Sequence, residues 1–497
     1  MSKINIFKTI SLLAAGFLFV TTPVLHSREA GFRVEKDLLG EKEIPADAYY
    51  GIQTARALEN FQISGIPLYH YPELIEGCAI VKMGAARANN EFGLLDDKIL
   101  KAIEYASNAL IQGEYHNQFP VDYVQGGAGT STNMNANEVI ANIGLVWMDH
   151  KKGDYQYLDP HDHVNMSQST NDFYPTAVKV GIILINDKLV EELRLLAAAF
   201  RKKGDEFNQV LKMGRTEMQD AVPMTVGQEF HAFASGIENE IEHLKNSERS
   251  LYVINMGGTA IGTGINAPRG FAPKAAAQIA KLLGKKITPA PDLIFATSDL
   301  HSFVTYSSAL KCLAIKVSKI CNDLRLLSSG PRAGFFEINL PPMQPGSSIM
   351  PGKVNPVIPE VVNEVCFRVI GNDVTVSMAA EGGQLQLNAF EPIAGYCIME
   401  SQNLFMNASK TLRTLCVDGI TINKEVLNRH METTIGIVTA LNPIVGYEKA
   451  TEIAKEAFET GKGVLEIIRE KNILTEEQIK ELMDPKTMTG LEPKKRS

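Results

Sequence analysis

Several absences narrow the field before any motif is read. With 49 lysines and arginines against 57 aspartates and glutamates, the net charge of −8 gives no electrostatic case for nucleic acid. The only basic run is Lys494-Lys495-Arg496, which reads as a solvated tail. Aromatic residues make up 7% of the chain, with one tryptophan, Trp147. The six cysteines (Cys78, Cys312, Cys321, Cys366, Cys397 and Cys416) include no CxxC pair and lie in apolar helical surroundings. That spacing argues against a zinc site or a disulfide framework and fits buried, reduced thiols. No GxGxxG follows a strand and no βαβ alternation is visible, which argues against a dinucleotide fold. Neither an internal repeat nor a low-complexity tract is found. The apolar stretch Ile10 to Val20 is too short to span a bilayer as a helix, so no membrane partner is expected.

What is present is the composition of a soluble globular protein, 45% apolar and 21% charged. At 497 residues the chain exceeds the size at which one core stops growing, roughly 250–300 residues. From Asn186 to about Thr460 the apolar pattern is helical. Leu189, Leu193, Leu196 and Phe200 line one face, as do Phe233, Ile237, Ile241 and Leu244. Leu310, Leu313, Val317, Ile320, Leu324 and Leu327 alternate steps of three and four, the rhythm of a coiled-coil seam, and stop at Ser328-Ser329-Gly330-Pro331. Val362, Val365, Val369 and Val376 mark a further helix, with Asn372 in its seam. Narrow stripes on long helices must be buried against one another, which predicts a bundle. These stripes are scaffold. Gly257-Gly258-Thr259-Ala260-Ile261-Gly262-Thr263-Gly264 lies between helices and reads as a tight connection.

The chemistry is concentrated in polar segments broken by glycine and proline. Gly346-Ser347-Ser348-Ile349-Met350-Pro351-Gly352-Lys353-Val354-Asn355-Pro356 cannot be helix interior, because glycine is costly there and proline lacks a donor. It is not a Walker phosphate loop, since five residues separate the glycines and Val354 follows Lys353. Three other segments have the same character: Gly126 to Asn135, Ser167 to Asp172, and Gly214 to Ala221. Taken singly, each is more often a turn or a helix cap than a site. His161 and His163, in Asp159-Pro160-His161-Asp162-His163, read as part of a loop entering the Ser169 segment rather than as metal ligands.

The string Gly346 to Pro356 resembles the signature loop of the aspartase/fumarase superfamily, lyases that eliminate ammonia, water or a larger amine from succinyl-type substrates. The other three segments, in this order, strengthen the resemblance, which covers the chain from about Phe32-Arg33-Val34-Glu35 onward. It implies a mainly α fold of three domains, with a central long-helix bundle that forms a tetrameric helical core and active sites shared between subunits. The corresponding parts are a mixed N-terminal domain (29–168), the helix bundle (169–423) and a small helical C-terminal domain (424–497). Residues 1–28 are an addition. Lys3 and Lys8 before an apolar stretch have the order of a secretory signal, but no small-x-small pair precedes Arg28, so a start called too early is the other reading. Scattered unpaired cysteines favour a reducing compartment, so the expectation is cytoplasmic, with a periplasmic location if residues 1–28 act as a signal.

The resemblance also assigns roles. Taking a proton from the carbon beside a carboxylate creates an enediolate-like dianion, which needs donors aimed where charge develops. Ser347 is the expected general base. Ser348, Thr130, Ser169 and Thr170 hold the carboxylate that becomes the enediolate, and Thr216, Lys353 and Asn355 hold the α-carboxylate. Asn171, together with Thr130, faces the leaving amine. No metal or organic cofactor is required. Within the superfamily, Gly127-Ala128-Gly129-Thr130-Ser131, Asp220 to Thr225 and Ala440-Leu441-Asn442-Pro443 resemble the ammonia-eliminating branch, acting on L-aspartate to give fumarate and ammonium. Water elimination, elimination of another amine and an inactive structural member are the alternatives. Fumarases carry His where this chain has Glu217, and the ammonia-eliminating branch commonly has Gln or His. A carboxylate there suits a cationic leaving group. Phe173 and Phe336 are further departures near the expected site.

Overall fold

A computed structural model describes residues 31–489; the expectation for residues 1–28 falls outside the described residues. The chain opens with an antiparallel hairpin, β1 (Phe32–Asp37) and β2 (Gly40–Pro45), followed by α1 (Ile52–Asn60), α2 (Pro72–Glu91), α3 (Asp97–Ile111) and α4 (Thr130–Trp147). Next come α5 (Thr170–Glu206), a second antiparallel hairpin of β3 (Leu211–Thr216) and β4 (Gln219–Thr225), and α6 (Val226–Glu248). After them lie α7 (Phe271–Leu283), α8 (Leu293–Ser298), α9 (His301–Leu327), α10 (Val357–Glu381), α11 (Glu391–Leu415) and α12 (Lys424–Thr433). Short helices complete the chain to Met488. The fold is mainly α, and its sheets are two-stranded.

The predicted stripes are the packed faces. Leu310, Leu313, Val317, Ile320, Leu324 and Leu327 of α9 are all buried, each worth roughly 1.5–3 kcal/mol relative to exposure. α9 lies on α10 and α6, α10 on α11, and α5 on α6, α11 and α2, which makes α5, α6, α9, α10 and α11 a bundle. Asn372 sits in the α10 seam, where its amide donates to the Cys397 carbonyl at 3.2 Å and to Ser401 at 3.0 Å. All six cysteines are free, five of them buried. A second apolar cluster gathers Met213 with Met431, Ile437, Leu441 and residues on to Met488. Among the described residues, no helix is long and apolar enough to cross a membrane, and no group of three His, Cys, Asp or Glu side chains could hold a metal ion.

The bundle is not covered on all sides. Phe367, Val374 and Met378 of α10 are about 60% exposed, at 62%, 59% and 63%. They follow one another at steps of seven and four, and Gly371 lies between them. A Cβ added at Gly371 would meet nothing within 4 Å. An apolar stripe with a backbone-exposing gap suits close approach of another helix.

Candidate active site

Four of the expected residues meet at the start of α5 and α4. α5 begins with a reciprocal capping box: the Ser169 hydroxyl caps the first turn, while Asp172 Oδ1 accepts the Ser169 N–H at 2.9 Å. The capping reading of this segment therefore holds, yet it does not exhaust the residues. Gly129, with φ +87°, precedes α4, and a Cβ there would fall 2.3 Å from the Tyr174 ring. Only glycine lets the Thr130 segment lie this close to the first turns of α5.

The hydrogen bonds sort these four side chains by polarity. Ser169 Oγ accepts the Asn171 N–H at 3.2 Å, and Thr170 Oγ1 accepts Asn133 Nδ2 at 3.0 Å. With lone pairs engaged, both hydroxyls have their protons free to donate. Thr130 is set the other way, because its hydroxyl donates to the Gly127 carbonyl at 2.8 Å and keeps its lone pairs. Asn171 matches Thr130. Its Nδ2 donates to the Ala260 carbonyl at 2.7 Å, and since a carbonyl can only accept, the amide oxygen faces away. Two donors and two acceptors thus stand on neighbouring residues.

Behind Thr170 lies a buried polar network. Asn165 Oδ1 accepts from Asn133 and Asn137, each at 3.2 Å, and from Lys82 Nζ at 2.9 Å; Lys82 also reaches Gln168 Oε1 at 2.9 Å. Lys82 is wholly buried over the Phe173 ring, 3.9 Å from its centroid. Burial pushes its pKa well below the ordinary lysine value, against weaker pulls from Cys78 and Asp172. Burial also pushes the Asp172 carboxyl up to about 6, opposed by the N–H groups of Ser169, Thr259 and Gly257.

Thr216 and Glu217 stand elsewhere, at the exposed tip of the β3–β4 hairpin. Its two-residue turn has left-handed φ at both Glu217 (54°) and Met218 (67°), the pattern of a type I′ turn that normally takes Asn-Gly. Two side-chain-bearing residues there store strain at the tip. Strand β3 is anchored by charge along its length: Arg215, beside the tip, pairs with buried Glu337 at 2.6 Å, and Lys212, nearer the base, with the same carboxylate at 3.1 Å.

The signature loop is a flap closed at its neck. Pro345 pairs with Val354, Gly346 N–H donates to the Lys353 carbonyl at 2.7 Å, and Asn355 Nδ2 donates to the Gly346 carbonyl at 2.7 Å. Within the tip, Ser347 Oγ accepts the N–H groups of Met350 at 2.9 Å and Ile349 at 3.2 Å. Two backbone donors thus converge on one hydroxyl oxygen, where they would stabilise developing negative charge. Ser348 is exposed beside it. Lys353 and Asn355 line an open cleft of about 720 Å³ with Arg325, Phe336, Asn339 and Glu360. Among the described residues, no carboxylate pairs with Lys353.

Thus Thr130, Ser169, Thr170 and Asn171 come together, Ser347, Ser348, Lys353 and Asn355 share the flap, and Thr216 with Glu217 form a third group. Among the described residues, no hydrogen bond or ion pair joins one group to another within the chain. Lys82, Asn133 and Asn165 were not singled out from the sequence. The available signal was a lone lysine inside the apolar run Cys78-Ala79-Ile80-Val81-Lys82-Met83. His163 closes its own turn, its Nδ1 accepting the Asp159 N–H at 2.8 Å. Phe173 is buried under Lys82, and Phe335 stacks on Arg215 at 4.3 Å.

Comparison with known proteins shows the family. A family model described as "Lyase" matches residues 40–371, and one described as "Fumarase C C-terminus" matches residues 437–490. The chain is 57% identical over 460 residues to an aspartate ammonia-lyase of Pseudomonas aeruginosa, spanning 92% of this chain and 97% of that protein. Its structure is similar to that of a fumarate lyase:delta crystallin from Brucella melitensis solved bound to cobalt, with TM-score 0.89, 50% identity and coverage of 92% and 100% of the two chains. It is also similar to a class II fumarase from Schistosoma mansoni, with TM-score 0.85, 33% identity and coverage of 92% and 99%.

Proposed function

The chain belongs to the aspartase/fumarase superfamily of lyases, and from that premise we propose that it is an aspartate ammonia-lyase, a carbon–nitrogen lyase converting L-aspartate reversibly to fumarate and ammonium. The observation that carries the choice of ammonia over water is the acceptor pair Thr130 and Asn171. The Thr130 hydroxyl proton and one of the two Asn171 amide N–H groups are committed to backbone carbonyls, so Thr130 Oγ1 and Asn171 Oδ1 keep their lone pairs. An ammonium leaving group is purely a donor and is matched by that pair; a hydroxyl would gain less from it. Thr130 is accordingly assigned to the amine.

In this reading Ser347 takes the Cβ proton, its alkoxide held by the Ile349 and Met350 N–H groups. Ser169, Thr170 and Ser348 donate to the carboxylate that becomes the enediolate. Thr216, Lys353 and Asn355 hold the α-carboxylate, and Glu217 lies on the amine side. The elimination is anti, and the chain's own groups suffice for it. In this reading the three groups of site residues come from different copies of the chain and form one site. The uncovered α10 stripe of Phe367, Gly371, Val374 and Met378 supports association, and the reading is a homotetramer with shared sites. The three parts 29–168, 169–423 and 424–497 and a cytoplasmic location complete it.

Turnover of L-aspartate and L-malate by the purified full chain, followed by fumarate absorbance, tests the proposal. L-aspartate should be the far better substrate, and a preference for L-malate would overturn the assignment.

A further inference from the structure

The acceptor face of Asn171 is not a property of Asn171 alone. Pro175, one helical turn later, has no N–H to give the Asn171 carbonyl. That carbonyl instead accepts Asn255 Nδ2 at 2.9 Å. Beside it, Asp172 Oδ2 accepts the N–H groups of Gly257 and Thr259, both at 2.9 Å. Asp172 and Asn255 are buried, and neither belongs to the set that would meet substrate. Together they fasten the glycine-rich connection 257–264 against the first turn of α5. The Ala260 carbonyl then lies on the Asn171 amide nitrogen and no other way round. Among the described residues, no donor occupies Asn171 Oδ1.

We infer that Asp172 is a positioning residue that sets leaving-group specificity: through the 257–264 loop it locks the Asn171 amide with its oxygen toward the amine. The inference rests on the ammonia-elimination reading and deepens it. A free asparagine amide can flip and present nitrogen or oxygen at little cost. One locked by a carbonyl holds its oxygen in a fixed direction, from which it accepts an ammonium proton. The neighbouring Thr170 is locked in the opposite sense by Asn133, so the two polarities do not interchange.

The test compares ligands that do and do not carry the amine. Wild-type turnover of L-aspartate is measured first, and its absence would overturn the parent reading together with this one. Given turnover, Asp172→Asn is expected to reduce kcat/KM for L-aspartate by about tenfold to a hundredfold, the loss of one charge-assisted contact. Competitive inhibition by succinate, which has both carboxylates and no amine, should stay close to wild type. Asn255→Ala removes the neighbouring tether without altering a charge and is expected to show the same split, which keeps the question decidable if Asp172→Asn does not fold. Equal losses for aspartate and succinate, or no loss for either, would overturn the positioning role while leaving the lyase assignment intact.

Discussion

On the proposed mechanism, replacing Ser347 by alanine removes the proton acceptor, and the consequences can be worked from its surroundings. Ser347 Oγ accepts N–H bonds of 2.9 and 3.2 Å from Met350 and Ile349. Both contacts favour negative charge on that oxygen, by less than a buried pair would because water competes at the exposed tip. Losing the proton acceptor should reduce kcat by about 10²–10⁴-fold. Because the flap tip is exposed, water can satisfy the two vacated N–H groups, and stability should change by less than about 0.5 kcal/mol. Steady-state kinetics with L-aspartate, paired with thermal unfolding, make the check. A Ser347→Ala enzyme that keeps wild-type kcat while folding normally would refute the assignment of the base.

Further predictions concern other charged groups of the chain. Glu217→Gln should retain L-aspartate turnover, because the branch it resembles commonly carries Gln there; collapse of kcat would show that the charge itself is needed. Lys82→Met should lower the thermal midpoint, since Gln168 Oε1 loses a donor in a buried network at a cost of about 1–3 kcal/mol. An unchanged midpoint would mean that the buried Lys82 side chain contributes nothing net. Glu337 is pushed up by burial, but the nearby Lys212 and Arg215 charges outweigh this and hold its carboxyl below the ordinary value of 4.5. A depressed folded-state pKa gives stability that is complete above the unfolded value and is lost as pH falls through the folded one. Unfolding midpoints should therefore drop on acidification below about pH 4.5, and more steeply for wild type than for Glu337→Gln.

Much of this molecule was legible in the sequence because its periodicities have one physical meaning. The α9 stripe, the stop at Ser328-Ser329-Gly330-Pro331 and the Asn372 seam position all follow from burying one face of a long helix, and the helix does end at Leu327. The polar segments were legible as a set through resemblance. Their hydrogen-bond polarity was not, because it depends on partners distant in sequence: Asn133 for Thr170, Ala260 for Asn171, Gly127 for Thr130. Lys82 escaped notice for the same reason, its acceptors lying 83 and 86 residues away. Glu217 was expected beside the amine; within one chain it stands at a strained, exposed hairpin tip, with no hydrogen bond to the other expected site residues among the described residues.

The most direct test is a one-pot competition in the synthetic direction. Fumarate is offered to the purified full chain in ammonium buffer, where water and ammonia compete for the same double bond, and the products are followed by proton NMR. The account predicts L-aspartate accumulating to equilibrium with no L-malate formed at a comparable rate. Accumulation of L-malate, or fumarate left unconsumed by a folded enzyme, would contradict it.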